Sequence, residues 1–383
     1  MEKKVLQQKL EEHFKWFHRH PEVSNDEFKT TERIKTILNE AGIEVMDAKL
    51  KTGLAAKITG KKPEPLIALR CDIDALPIIE ASGLDYASEN HGVMHACGHD
   101  FHIASVLGAG LLLKEEVSNL EGSVILLFQP AEEGGGGAKQ VVESGVLKGV
   151  SEIYGMHNSA AMETGVIGIS PGATHAFIGF FKIKITGKGS HAAHPQRSQD
   201  PIIATAQLIN AAQTIVSRNI SPFDQAVVSI THVEAGSTWN VIPQTATLEG
   251  TFRTFSDENM ELLGARMQEI CRGVGISSRV EIEFTWGRDC YPVINDAALS
   301  EWLTNLAKKL GYETKLSSPT MGGEDFSEYQ KTIPGVFWNM GAKSVEGLHH
   351  PAYAADISSL STASVFFADQ AKAALRRLSG LGE

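Results

Sequence analysis

The feature that most constrains the fold is a change of pattern that begins after Pro171 and reverts near Tyr291. Before the change, continuous apolar runs alternate with helical patterns, which is typical of an α/β layer with a largely parallel sheet. The apolar runs are LIALR (66–70), SVILLFQ (123–129) and EIYGM (152–156). The segment HIASVLGAGLLLKEE (102–116) is predicted to be a helix, with Asp100 as its N-cap.

Within the changed region the strands alternate in polarity, and the predicted order is β-α-β-β-α-β, the ferredoxin-like unit. The predicted elements are, in order, 177–187, 200–217, 225–236, 246–255, 258–275 and 278–287. The α/β pattern then returns with a helix, a buried strand and a closing helix at 296–311, 335–341 and 358–378. We therefore predict a discontinuous α/β domain formed by residues 1–173 and 289–383. The smaller α+β domain, 174–288, is predicted to be inserted in it.

Charge and hydropathy narrow the choice of partners. The 383 residues include 35 basic and 46 acidic side chains, a formal charge of −11, which argues against nucleic acid as a partner. No apolar stretch approaches the ~20 residues of a membrane span. The amino terminus has the pattern of an amphipathic helix and lacks the apolar run of a signal peptide. We therefore predict a cytoplasmic protein that binds neither nucleic acid nor membrane.

Acidic or imidazole side chains follow four of the predicted α/β strands. They are Asp72 and Asp74, Glu132 and Glu133, His157, and His349 and His350. Because ligands bind beyond the carboxyl ends of the strands in an open α/β sheet, we expect these groups to share one edge of the sheet. Cys97 and His99, just before the predicted helix, belong with them.

A cluster of one thiol, several imidazoles and two adjacent carboxylates is unfavourable unless cations neutralise it. Cysteine and histidine suit zinc, and a carboxylate-rich site also admits manganese. Five candidate ligands exceed one open tetrahedral site, so two metal ions are predicted, which together can activate water and polarise a carbonyl. Side chains of neighbouring residues diverge, so one of Glu132 and Glu133 is expected to bind metal and the other to act as general base.

The motifs RCDIDALP, MHACGHDFH, PAEEGGGGA, GMHN and LHHP occur in this order along the chain. The set resembles the M20 family of metallopeptidases and amidohydrolases. The branch it resembles most contains bacterial N-acyl-amino-acid amidohydrolases and plant auxin-conjugate hydrolases. Five further matches extend the resemblance over nearly the whole chain: HRHPEVSNDEFKTT, GKGSHAAHPQRSQDP, GSTWNVIP, EGTFRTF and GGEDFSEY.

The resemblance implies a two-metal site with Glu132 as the general base. The implied ligands are Cys97, His99, Glu133, His157 and His349, with Cys97 bridging the two ions. In the wider family a His–x–Asp pair follows the first strand, its His binding metal and its Asp orienting a ligand. Here Asp72 and Asp74 stand at those positions, so the resemblance leaves open whether Asp74 keeps the orienting role.

In the predicted insertion, His191 matches a histidine that reaches into the partner's active site in related dimers and donates to the oxyanion there. Asn240 and Arg253 match positions that bind the substrate carboxylate or stabilise that anion. The resemblance therefore implies a homodimer or a higher homo-oligomer.

The implied activity is hydrolysis of the amide bond of N-acyl amino acids, N-acetyl ones in particular, to a carboxylate and a free amino acid. Glu132 would take a proton from metal-activated water and return it to the leaving amine. The alternative within the family is a dipeptidase or metallo-carboxypeptidase. A protein that only senses or carries a ligand is the alternative from another class, and Glu132 argues against it because binding alone needs no general base. His102 is expected to cap, pack or face solvent, with a supporting role beside the site as the alternative.

Overall fold

The structure, a computed structural model, describes residues 2–382 and divides into two compact units. The first unit runs to Gly172 and also contains Ile294–Ser318 and the chain from Asp325 onward. The second unit comprises Ala173–Val293 and Pro319–Glu324.

Helices and short strands account for most of the described chain. The helices are α1 (Lys3–Arg19), α2 (Phe28–Glu40), α3 (His99–Glu115), α4 (Gly137–Ser144), α5 (Pro201–Asn219), α6 (Asp257–Ser278), α7 (Ala297–Lys309), α8 (Ser327–Gln330) and α9 (Leu360–Leu378). The strands are β1 (Glu44–Val45), β2 (Leu54–Thr59), β3 (Leu66–Asp72), β4 (Ser123–Gln129), β5 (Glu152–Ser159), β6 (Ile167–Gly168), β7 (Gly172–His175), β8 (Phe177–Thr186), β9 (Ser190–His191), β10 (Ala226–Ala235), β11 (Val241–Ile242), β12 (Thr245–Thr254), β13 (Glu281–Cys290), β14 (Val293–Asn295), β15 (Thr314–Lys315) and β16 (Gly335–Gly341). Among residues 2–382, no helix has the length and apolarity needed to cross a membrane.

The first unit is built on an eight-stranded sheet with the order β1-β2-β4-β3-β5-β16-β6-β15. Its central strands β4, β3, β5 and β16 are mutually parallel, while β2 joins β4 antiparallel. The predicted α/β class with a largely parallel sheet is therefore confirmed. Asp72 pairs with Gln129 and His157 with Asn339, so the polar strand ends meet at one edge.

Helices pack closely on this sheet and on one another. Helix α3 is almost wholly buried. A Cβ added at Gly108 of α3 would lie 2.7 Å from Ser364 Cβ and 2.9 Å from Leu10 Cδ2, so glycine is needed for the close approach of α1, α3 and α9. On β16, fully buried Trp338 packs against two phenylalanine rings of α9 with ring centroids 4.9 and 4.8 Å away. Each large apolar side chain buried in this way contributes about 1.5–3 kcal/mol.

The second unit contains an antiparallel sheet with the order β10-β12-β8-β13. Along the chain its main elements run β8, α5, β10, β12, α6, β13, which confirms the predicted ferredoxin-like order. Buried and exposed residues alternate along β8, so one face of the sheet is covered. Leu208 of α5 and Leu263 of α6 belong to the core on that face.

Several element boundaries differ from the prediction, including the following three. Asp100 is not an N-cap: α3 begins at His99, because Gly98 adopts the left-handed conformation with φ +83° and makes the turn into the helix. Strand β5 extends to Ser159, so His157 lies within the strand rather than after it. Arg279 ends α6 in a left-handed conformation, which delays the start of β13.

Candidate active site

Every metal ligand expected from the sequence lies in one cluster of the first unit. Among the described residues, five groups of side chains have potential ligand atoms within 4.8 Å of one another, and three of these groups contain at least two of the expected ligands. Those three are Cys97, His99 and His157; Cys97, Glu133 and His349; and His99, Glu132 and Glu133. Cys97 Sγ is 3.4 Å from Nε2 of both His157 and His349, so the thiol lies between the two imidazoles.

The donor set fits a metal centre. Thiolate, imidazole and carboxylate are the ligands that zinc and manganese sites combine. The Nε2 atom of His99 is buried and has no hydrogen-bond partner in the described chain, although a buried polar atom normally has one. Burial raises the pKa of the Cys97 thiol, so a thiolate at this position requires a nearby cation.

The buried His99 and the half-buried His157 are both oriented through Nδ1, which leaves Nε2 for a ligand bond. His99 Nδ1 lies 2.9 Å from the backbone oxygen of Asp74 and 3.2 Å from its Oδ1. His157 Nδ1 donates to the backbone oxygen of Asn158 at 2.7 Å. Burial and the neighbouring His102 hold the pKa of His157 well below its usual range, which favours the neutral imidazole that binds metal.

Two backbone conformations place the remaining donors. Gly98 follows Cys97, and a Cβ at this position would overlap the Asn158 side chain. His349 has a left-handed φ of +65°, and its N–H donates to the backbone oxygen of Ala96 at 2.8 Å. The loop that carries His349 is therefore fixed directly to the segment that carries Cys97.

A buried polar network behind the cluster contains His102, for which sequence patterns favoured a capping, packing or solvent-facing role. His102 Nδ1 is 2.6 Å from Asp72 Oδ1, and its Nε2 is 2.7 Å from Asn158 Oδ1. Arg70 Nη1 donates to Asp72 Oδ2 at 2.8 Å. Burial alone would raise the pKa of Asp72, but the charges of His99, Arg70 and His102 outweigh it and hold that pKa well below its usual range.

In the second unit the structure brings two of the three expected substrate-binding and catalytic residues together. His191 on β9 pairs with Val241 on β11, and the Ala192 N–H donates to the backbone oxygen of Asn240. His191 is exposed, and its Nδ1 accepts the Ala193 N–H at 3.0 Å, so its Nε2 is the nitrogen that carries a proton in the neutral ring.

Arg253 is half-buried and lies on β12, in a different sheet from His191. Its Nη1 donates to the backbone oxygen of Phe252 at 3.0 Å and also contacts Thr251 Oγ1. Part of the hydrogen-bonding capacity of the guanidinium is thus used within its own strand.

The family model for peptidase family M20/M25/M40 matches residues 68–373. The chain belongs to this family. It is 46% identical over 355 residues to an N-acetylcysteine deacetylase of Bacillus subtilis, an alignment that covers 92% of this chain and 93% of the relative. It is also 40% identical over 333 residues to an IAA-amino acid hydrolase of Arabidopsis thaliana, with 85% and 76% covered. The resemblance seen in the sequence motifs is confirmed.

Two solved structures have the same fold. A dinuclear metal-binding peptidase of the M20 family from Bacillus subtilis matches with a TM-score of 0.88 and 41% identity, covering 97% of this chain and 99% of that chain. A putative aminohydrolase from methicillin-resistant Staphylococcus aureus matches with a TM-score of 0.90 and 32% identity, covering 98% of each chain. The M20 assignment therefore rests on fold and sequence together.

Proposed function

We propose that the protein is a metal-dependent amidohydrolase that cleaves N-acyl amino acids, N-acetyl ones in particular. The observation that carries the proposal is the position of Glu132, which lies within 4.8 Å of His99 and Glu133 in a site rich in metal-binding donors. Two relatives at 40% identity or more are a deacetylase of an N-acetyl amino acid and a hydrolase of an acyl amino acid conjugate. Both names indicate cleavage of the bond between an acyl group and an amino acid.

The proposed ligands of two divalent ions, manganese or zinc, are Cys97, His99, Glu133, His157 and His349. When bound, such ions lower the pKa of water and polarise an acyl carbonyl. Asp74 holds His99 through Nδ1, so it is proposed to keep the orienting role that the sequence left open.

Glu132 supplies the proton transfers in this proposal. Its carboxylate takes a proton from the attacking water as the water oxygen bonds to the acyl carbon. When the carbon–nitrogen bond breaks, the same proton goes to the leaving nitrogen. The products are a carboxylate and a free amino acid, and Glu132 returns to its ionised form.

The second unit is proposed to bind substrate and to mediate dimerisation. His191 carries its proton on Nε2, so it can donate to the developing oxyanion across a dimer. Asn240 and Arg253 are proposed to bind the substrate carboxylate or to stabilise that anion, a role for which a guanidinium is well suited.

The proposal is tested by measuring acetate release from a panel of N-acetyl amino acids after loading the protein with Mn²⁺ or Zn²⁺. We expect hydrolysis that is lost after chelation and restored by metal. A parallel panel of dipeptides serves as the comparison. Hydrolysis of dipeptides alone would replace the proposal with a dipeptidase, and no hydrolysis of either panel by metal-loaded protein would refute it.

A further inference from the structure

The two residues that flank Glu132 are each held by a buried carboxylate. The Ala131 N–H donates to Glu27 Oε1 at 2.8 Å, and the Glu133 N–H donates to Asp74 Oδ2 at 3.0 Å. Glu27 and Asp74 are both fully buried. Asp74 also contacts His99 and belongs to the site already described, whereas Glu27 comes from the segment just before α2 and lies 104 positions before Ala131.

Ala131 needs such a partner because of its backbone conformation. Its φ is +52°, in the left-handed region that an L-residue with a Cβ seldom adopts. Its carbonyl accepts the Gly137 N–H at 3.0 Å, so both of its backbone polar groups are engaged. Since the chain turns at Ala131 directly before the two glutamates, this conformation sets the directions in which Glu132 and Glu133 project.

Glu27 is itself fixed on its other oxygen. Oε2 accepts the Thr52 hydroxyl at 2.6 Å, and Thr52 is fully buried. The next residue, Gly53, lies so close to the end of β4 that an added Cβ would be 2.6 Å from both Phe128 O and Pro130 Cδ. The Glu27 carboxylate therefore connects the segment that carries Thr52 to the segment that carries Ala131, and these two segments already contact each other at Gly53.

Burying a carboxylate costs free energy that an apolar side chain of similar volume would not. We propose that Glu27 is a positioning residue: its carboxylate fixes the backbone of Ala131 and thereby directs Glu132 toward the attacking water. This inference rests on the proposed role of Glu132 as general base.

The first test is the kcat of metal-loaded Glu27→Ala against that of Glu27→Gln. Glu27→Ala removes both hydrogen bonds, so kcat should fall about 10- to 100-fold while KM changes far less. Glu27→Gln retains an oxygen that can accept the Ala131 N–H and an amide that can donate to Thr52, so it should keep most of the activity. Equal losses of kcat in the two variants, or no loss in folded Glu27→Ala, would overturn the inference.

A double-mutant cycle separates positioning from a general loss of structure. If Glu27 acts through Glu132, adding Glu27→Ala to Glu132→Gln should cause no further loss of the residual kcat. Multiplicative losses would contradict the inference. Full activity of Glu132→Gln alone would instead refute the proposed role of Glu132, so the two failures are distinguishable.

Glu152→Ala is the matched control, because Glu152 is also a buried carboxylate and binds Arg377 and Tyr154. This variant should lower the thermal unfolding midpoint without changing kcat of the folded fraction.

If Glu27→Ala does not fold, Thr52→Val removes only the hydroxyl that holds Glu27. We then expect a loss of about threefold in kcat that disappears in the Glu132→Gln background, and an unchanged kcat in folded Thr52→Val would overturn the inference.

Discussion

The candidate site residues of the two units are held in different ways. In the first unit, Cys97 and His99 are buried, Glu133 and His157 are half-buried and His349 is exposed, but their donor atoms lie close to one another. The backbones of the neighbouring loops are fixed by further hydrogen bonds. In the second unit, His191 is exposed on a two-stranded ribbon, and Arg253 bonds mainly to its own strand. The first set is thus preorganised by contacts among its own members, whereas the exposed His191 ring is held by a local hydrogen bond from the Ala193 N–H.

The largest effect is expected at Glu132. Replacing it with Gln leaves the proposed ligands in place but removes the proton acceptor, so kcat should fall about 10³-fold. Metal content, measured by atomic spectroscopy, should be unchanged. Cys97→Ser is the contrasting variant, and it should lose metal as well as activity. A Glu132→Gln enzyme with normal kcat would break the division of roles between the two glutamates.

His191→Ala should lower kcat about 100-fold, the usual effect of removing one donor to an oxyanion, and should leave metal content unchanged. If His191 acts across a dimer, mixing this variant with Glu132→Ala protein should restore some activity after subunit exchange. Heterodimers that show no restored activity would exclude the arrangement in trans and place the function of His191 within one chain.

A buried ion pair of the first unit is expected to contribute to the free energy of unfolding, whereas an exposed pair of the second unit is not. His18 lies between Asp100 and Glu80, 2.6 and 3.1 Å from their oxygens. Burial alone would lower the pKa of His18, but the hydrogen bonds to Asp100 and Glu80 outweigh it and raise that pKa to about 9. Because the pKa is raised on folding, the stabilisation is fully present below pH 6.5, the ordinary value for histidine, and is lost as the pH rises through about 9.

The free energy of unfolding in urea should therefore be about 2 kcal/mol lower for metal-loaded His18→Gln than for the metal-loaded unmodified protein at pH 6. The difference should shrink as the pH rises from 6.5 to 9. The exposed Lys182–Glu249 pair of the second unit is the control, and its removal should cause no resolvable change in stability. A His18→Gln difference that grows with pH would contradict the assignment.

The smallest effect concerns Gly98. Gly98→Ala and Gly92→Ala both place a Cβ at a left-handed φ, +83° and +91°. Only at Gly98 does the new Cβ meet another group, the Asn158 side chain, and nothing lies within 4 Å at Gly92. Gly98→Ala should therefore destabilise by about 1–2 kcal/mol more than Gly92→Ala in urea unfolding. Equal values would show that the site edge relaxes more easily than its packing suggests.

The parts of the site that the sequence predicts are those fixed by strand order. Buried apolar runs identify β3, β4, β5 and β16, and parallel pairing then brings their polar ends to one edge. The roles of Glu27 and His102 could not be predicted in this way. Glu27 bonds to Ala131 across 104 positions and His102 to Asp72 across 30, and neither contact leaves a periodic signal. Helix α2, which follows Glu27, was likewise not predicted.

The prediction of Asp100 as a helix N-cap was wrong for a different reason. Acidic residues are frequent N-caps, but Gly98 turns the chain two residues earlier, and Asp100 instead bonds to His18 at 2.6 Å. Gly98 therefore sets the start of the helix, and the Asp100 carboxylate forms a tertiary ion pair with α1 instead of capping α3.

The discontinuity of the first unit has a consequence for folding during synthesis. Strand β5 ends at Ser159, and its sheet neighbour β16 begins only at Gly335, after the whole second unit has been made. Pairing between strands so distant in sequence is slow, because a long loop must close first. His349 follows β16, so the set of five proposed ligands is completed only after β16 has been made. A nascent chain can bring the Cys97, His99 and His157 donors together early, but it gains the full set of proposed ligands only when the central sheet closes.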